Sequence, residues 1–424
     1  MNNKFGLLIL LIVLLNGCKS HSQTYLKDSK DYILPFDALN SEVFLNHIES
    51  IADKARIIGL GEVSHYTKEC YELKHQIIKK LIDKVYDGLV LEVDFGQALL
   101  WNEYLTNGQG NIDTLVAQSG WFTYRTQEFK NLLIDIRAYN LTANKPFQIF
   151  GMEMTAMHNN LAWLAQYFSM HLDSENKIID LLKQERTIVA FQQHEQVEIL
   201  AYRYLYDTLM DTLNENEQLL IANGGKDNYK LAQRIAEITR QYSTYISQDD
   251  SFRQLELRDQ FSTKNVLWCL DYLGENSKIA IWAHNGHVAK KSILFNYDIL
   301  GYHLSKQFGE SYYSIGFTFN EGEFGAFSSN GFKKWKLPTM SISSLTQEFD
   351  SYQSPYLLFD IRSNLKEGIS ENSPLKMEVP IRTDVSENFS EVSNPMMNIN
   401  LSKTYDCLIY IDKTNYPTSI EWVK

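Results

Sequence analysis

Arg56-Ile57-Ile58-Gly59-Leu60-Gly61-Glu62-Val63-Ser64-His65 is the stretch on which the reading of this chain turns. A short apolar run ends in Gly-x-Gly, and a carboxylate and an imidazole follow three residues apart. Beyond them, Glu69, Tyr71, Leu73, Ile77, Ile78, Leu81 and Ile82 recur at helical spacing. The pattern predicts a buried strand, a tight turn holding Glu62 and His65, and a helix. In an open α/β sheet such a turn lies at the carboxyl end of the strand, where ligands bind. Ile279-Ala280-Ile281-Trp282-Ala283-His284-Asn285-Gly286-His287-Val288 repeats the design with His284 and His287. The two turns are expected to face each other across one site.

Further strands are expected at Leu89-Val90-Leu91-Glu92-Val93-Asp94-Phe95 and at Pro146 to Met154, the latter with Glu153 near its end. Glu92 and Asp94 are two apart and so point to one face of their strand. Helical spacing is expected at about 36–54, 68–85, 97–107, 126–142 and 300–308. Strands that alternate with helices predict an α/β fold, with a mainly parallel sheet covered on both faces. From about 158 to 275 the chain is nearly free of proline and rich in Leu, Gln, Glu, Tyr and Arg at helical spacing. This predicts a long helical insertion, broken at Gly224-Gly225, which either shapes a substrate cleft or forms a purely structural helical layer. Later strands are expected at Tyr312 to Phe319, Tyr356 to Ile361 and Tyr405 to Ile411, with a hairpin turn at Glu321-Gly322-Glu323-Phe324-Gly325 and a polar loop over 364–400.

The N-terminus carries Lys4, an apolar run from Phe5 to Leu15, and then Asn16-Gly17-Cys18. The run is too short for a comfortable membrane span and has the form of a secretory signal. Its Leu-x-Gly-Cys ending resembles the bacterial lipoprotein box. It implies cleavage before Cys18, lipidation of that thiol, and a lipid-anchored protein of the bacterial cell envelope. Residues 1–17 are thus expected to be a signal peptide, 18–35 a tether, and 36–424 the folded domain. Cys70, Cys269 and Cys407 are far apart and read as buried structural thiols. The net charge of −12 argues against a nucleic-acid partner.

No Gly-x-Ser-x-Gly elbow and no His-Glu-x-x-His helix occurs, and the Gly59-Leu60-Gly61 turn lacks the further residues of a dinucleotide or phosphate loop. What remains is a convergence of ionisable groups at strand ends: Glu62 with His65, Glu92 with Asp94, Glu153, and His284 with His287. Each alone could be a helix cap or a satisfied core residue. Several at one sheet edge point to a site. A histidine oriented by a carboxylate can take a proton from water, and a second histidine or an arginine can stabilise the oxyanion that follows. The same side chains can also ligate a divalent metal. The spacing leaves both open.

The first stretch, with Glu69 and Tyr71-Glu72-Leu73-Lys74, resembles the erythromycin esterase family. So do Leu91-Glu92-Val93-Asp94, Arg258-Asp259, Ala283-His284-Asn285-Gly286-His287, Tyr313-Ser314-Ile315-Gly316-Phe317 and Leu408 to Thr414, in order, over about residues 55–415. The resemblance implies a three-layer α/β/α sandwich related to haem-binding ChaN-like lipoproteins. It implies hydrolysis of a macrolide lactone by activated water, with no bound metal or other cofactor. His65 would be the general base, Glu62 its support, and His284 would act at the carbonyl. Arg258 would supply a catalytic guanidinium, and Glu92, Lys74, His287 and Glu153 would contact the small-molecule substrate. Family members carry an arginine where this chain has Lys74, which keeps the charge but loses the planar fork. The signal also departs from a cytoplasmic resistance enzyme. The expectation is therefore an ester or lactone hydrolase of this family. Two alternatives stand beside it: a metal-dependent hydrolase or peptidase using Glu62, His65, Glu153 and His284 or His287, and a non-catalytic binder of a small molecule or haem.

Overall fold

The computed structural model describes residues 25–26, 29–189, 196–293, 297–329, 331–339, 343–368, 373–383 and 396–422. The expected signal segment and Cys18 lie outside the described residues. The strands are β1 (Ile33–Phe36), β2 (Ile57–Leu60), β3 (Gly88–Asp94), β4 (Gln148–Glu153), β5 (Ile279–Trp282), β6 (Tyr312–Ser328), β7 (Gly331–Leu337), β8 (Tyr356–Asp360), β9 (Glu378–Arg382), β10 (Met396–Asn400) and β11 (Cys407–Thr414). All but β9 and β10 form one sheet in the order β1-β8-β11-β6-β2-β5-β3-β4, with β7 added to β6. The run from β11 to β4 is parallel. The pairings of β8 with β1 and β11, and of β7 with β6, are antiparallel.

The inner strands are apolar because both of their faces are covered. On β5, Ala280 and Trp282 join the core that packs the helix Lys68–Asp83, while Ile279 and Ile281 join the opposite core, with the helices His158–His171 and Ser251–Leu273. Helix, sheet and helix make the expected three layers. The chain leaves β2 toward β3 over one face, and leaves β5 toward β6 over the other. The loops after β2 and β5 therefore diverge at neighbouring strand ends, which opens a crevice there.

The insertion contains six helices among the described residues: His158–His171, Lys177–Val189, Gln196–Glu215, Glu217–Gly224, Lys226–Ile246 and Ser251–Leu273. The expected break falls between the fourth and fifth, where Gly225 has φ +82°. Cys70, Cys269 and Cys407 are buried and free.

Three expectations need correction. The span expected to be a tether, 18–35, overlaps the fold, because Tyr25 and Leu26 are buried and β1 pairs with β8 at the sheet edge. Pro35 masks this strand in the sequence, but an edge strand tolerates the missing N–H. The hairpin turn at 321–325 is displaced. β6 continues through it to Ser328, because Phe324 and Ala326 are buried and Gly325 pairs with Tyr66. Within 364–400, the helix Ile361–Lys366 and the hairpin of β9 and β10 replace part of the expected loop.

Candidate active site

Glu62 follows β2 directly and is 5% exposed. Three donors converge on it. His65 Nδ1 lies 2.8 Å from Oε1, while Lys74 Nζ at 2.6 Å and Trp282 Nε1 at 2.7 Å both donate to Oε2. Burial works against the charge, but Lys74 and His65 outweigh it and hold the carboxyl down at about 2. An ionised carboxylate only accepts, so His65 donates from Nδ1, and the neutral ring keeps its lone pair on Nε2. Tyr71 steadies the turn from the adjoining helix, with its hydroxyl between the carbonyls of His65 and Thr123.

The Gly-x-Gly of this turn serves close packing. A Cβ on Gly61 would meet Asn285 Oδ1 at 2.2 Å and the Ile315 carbonyl at 2.9 Å. Asn285 fills that space to tie the turns after β2 and β5 to β6. Its backbone N–H donates to the Glu62 carbonyl, its Nδ2 donates to the Phe317 carbonyl, and its Oδ1 accepts from Phe317 N–H. This lock sets the β5 turn against the β2 turn.

His284 caps the short helix Asn285–Val288, its Nδ1 accepting from Gly286 N–H at 3.3 Å. In the neutral ring the proton then sits on Nε2. The His65 and His284 rings lie 5.0 Å apart between centroids, tilted by 49°. One imidazole thus carries an Nε2 lone pair and its neighbour an Nε2–H.

Beside this pair runs a chain of alternating charges. Arg258, from the last helix of the insertion, donates through Nε to both Glu153 oxygens at 3.0 Å and through Nη2 to Glu92 Oε1 at 2.7 Å. Glu92 Oε2 accepts the backbone N–H of His284 at 2.9 Å. His287 lies between Asp259, at 2.7 Å from Nδ1, and Glu92, at 3.3 Å from Nε2. Burial opposes the charge on Glu92, but His287 and Arg258 hold it well below the usual carboxylate range.

The erythromycin esterase family model matches residues 83–414. The chain belongs to the erythromycin esterase family. It is similar to erythromycin esterase type II of Escherichia coli, at 23% identity over 305 residues, which is 66% of this chain and 72% of that protein. A solved structure of a Bacillus cereus protein superposes with a TM-score of 0.76 at 24% identity, covering 92% of this chain and 97% of that one. A solved erythromycin esterase, in its open conformation, superposes with a TM-score of 0.67 at 18% identity, covering 92% and 99%. Membership of the erythromycin esterase family supports a hydrolase-type function. The matched span holds Glu92, Glu153, Arg258, His284 and His287, whereas Glu62, His65 and Lys74 precede it.

Within this family member, all eight expected site residues come together, but in two groups. Glu62, His65 and Lys74 form one, and Glu92, Glu153, Arg258 and His287 the other, with His284 between them. Lys74 is fully buried beneath Glu62, so its position is that of a support and not of a substrate contact. Asp94 stands apart: it caps the helix Phe95–Asn107 through Gln97 N–H and accepts from Trp121 Nε1, and burial raises it to about 6. Glu69 is likewise committed, to the backbone and side-chain amides of Asn415. The sequence reading missed Trp282 and Asn285 as site residues. A tryptophan ending a buried strand, with an N–H that needs a partner, was the available signal.

The donor set for a metal is already engaged. Lys74 is paired with Glu62, and Arg258 with both Glu153 and Glu92, so a divalent cation would sit against an ammonium or a guanidinium. Among the described residues no group of three or more His, Cys, Asp or Glu side chains is arranged to hold a metal ion.

Proposed function

We propose that this protein hydrolyses a carboxylic ester or lactone with water activated at His65 and no resident metal. The observation that carries the proposal is the His65–His284 pair, 5.0 Å apart between ring centroids, whose partners at Nδ1 leave the lone pair of one neutral ring and the proton of the other on Nε2. His65 Nε2 takes a proton from water as the water oxygen bonds to the carbonyl carbon. Glu62 stabilises the imidazolium that forms, and Lys74 and Trp282 keep Glu62 ionised and aimed. His284 Nε2–H donates to the oxyanion. When the tetrahedral intermediate collapses, the bond to the leaving alkoxide breaks, and His65 returns its proton to that oxygen. An ester gives an acid and an alcohol; a lactone gives one hydroxy acid. Arg258 pairs with Glu92 and Glu153 beside the two histidines.

The proposal extends to place. The signal and Cys18 support a lipid-anchored protein acting on a small molecule at the cell envelope. The test of function is a panel of esters and lactones, macrolides included, incubated with the chain that begins after Cys18, with mass spectrometry for addition of one water. Wild-type protein should convert at least one member, and His65→Ala should slow that conversion on the order of a thousandfold. Equal rates would refute the role given to His65.

A further inference from the structure

His287 follows His284 on the same short helix, yet its surroundings are different. Its two ring nitrogens face two carboxylates, Asp259 Oδ1 at 2.7 Å and Glu92 Oε1 at 3.3 Å. Asp259 only accepts, so Nδ1 donates to it, and Glu92 within ion-pair reach of Nε2 favours a proton there as well, which makes the ring an imidazolium. Burial works against this charge, but Asp259 and Glu92 outweigh it and raise His287 well above the ordinary histidine range. Such a ring has no lone pair for a metal or for a substrate proton.

The charged and titratable neighbours come from three directions. The insertion helix Ser251–Leu273 presents Asp259 and the opposing cation Arg258, and β3 presents Glu92. The Tyr297 phenol lies near Asp259 and Arg258. Asp259 also holds the Leu300 N–H at 3.2 Å, which ties it to the following helix. Glu92 is gripped from both sides, by His287 and Arg258 on Oε1 and by the His284 backbone on Oε2.

We propose that His287 is a positioning residue, an imidazolium that clamps Glu92 between the helical insertion and the His284 backbone and thereby sets the electrostatic potential at the His65–His284 pair. This rests on the hydrolase reading and adds a role to it. Glu92 is near enough to His65 for their charges to act on each other. Without the His287 charge, Glu92 and Asp259 are less compensated, protonated His65 is favoured, and the base becomes available only at higher pH.

The test compares His287→Gln, which loses the charge, with His287→Lys, which keeps it. In the neutral variant kcat should fall on the order of tenfold or more with KM within about twofold, and the acid limb of kcat/KM should move up by about one pH unit. The charged variant should keep that limb near its wild-type position. An unmoved limb in His287→Gln, or an equal displacement in both variants, would overturn the clamp. A second measurement needs neither turnover nor a variant that folds. In histidine-labelled wild-type protein, nitrogen NMR should show one of the ten imidazoles still doubly protonated at about pH 9, where an ordinary histidine is neutral. All rings neutral there would also overturn it. If wild-type protein hydrolyses nothing, the hydrolase reading falls, while the NMR result still decides the clamp.

Discussion

Glu62 stays ionised in a nearly dry position because Lys74, Trp282 and His65 each give it a hydrogen bond. Removing one partner of such a buried pair costs about 3–5 kcal/mol, because the other charge is left behind. Lys74→Met should therefore lower the unfolding free energy by about that amount in urea titrations, and should also slow hydrolysis. Adding Glu62→Gln to it should restore much of the stability and none of the activity. The same carboxylate fixes a pH dependence. Its ordinary value is 4.5 and the fold depresses it to about 2. A depressed acid stabilises the fold above the unfolded value and loses that contribution as pH falls through the folded one. At 1.36 kcal/mol per unit this is roughly 3 kcal/mol, lost between pH 4.5 and about 2. Glu62→Gln should show a flatter stability curve over that window. At this scale the sequence spoke clearly for Glu62, His65 and His284, since each sits where an apolar strand stops. It was less clear for Lys74. Yet Lys74 follows Cys70 by four residues and precedes Ile77 and Ile78, and so lies on the buried stripe of its helix. A lysine there demands a buried anion, which spacing alone cannot name.

The elements bring these residues together through close contacts at strand ends. Gly61 leaves the space that Asn285 fills, and the Asn285 amide stitches β6 to the turn after β5. Gly61→Ala would drive a Cβ into the Asn285 side chain and the Ile315 carbonyl. It should destabilise the protein by about 1–3 kcal/mol and, by parting the two turns, reduce kcat/KM more than that stability loss accounts for. Thermal unfolding and kinetics on the folded variant check both parts. The parallel strands were legible because burial on both faces makes them continuously apolar. β1 was not, since a four-residue edge strand with a proline gives no periodic signal. The true reversal between β6 and β7 was hidden because the Gly-rich stretch before it serves close packing instead: Gly322, at φ +122°, lies against Thr414, and Gly325 against Tyr66 and Phe332.

On the scale of the whole molecule, the site stands where connections leave neighbouring strands over opposite faces of the sheet, and the insertion reaches back to it through Arg258 and Asp259 on one helix. The helical character of 158–275 could be read from composition. That its last helix closes the site could not, because the partners of Arg258 are more than a hundred residues away in sequence. No helix among the described residues is long and apolar enough to cross a membrane. If Cys18 bears the anchor, Cys18→Ser should move the protein from the membrane fraction to the soluble fraction and abolish incorporation of labelled palmitate. Continued labelling would refute the lipoprotein reading.

The most direct test of the central claim is hydrolysis in oxygen-18 water, with chelator present throughout, by wild-type protein and by His65→Ala. Water activated at His65 should place one labelled oxygen in the carboxylate of the product and none in the alcohol, at a rate indifferent to chelator and lowered on the order of a thousandfold in the variant. Label in the alcohol, loss of turnover with chelator, or an undiminished rate in His65→Ala would contradict it.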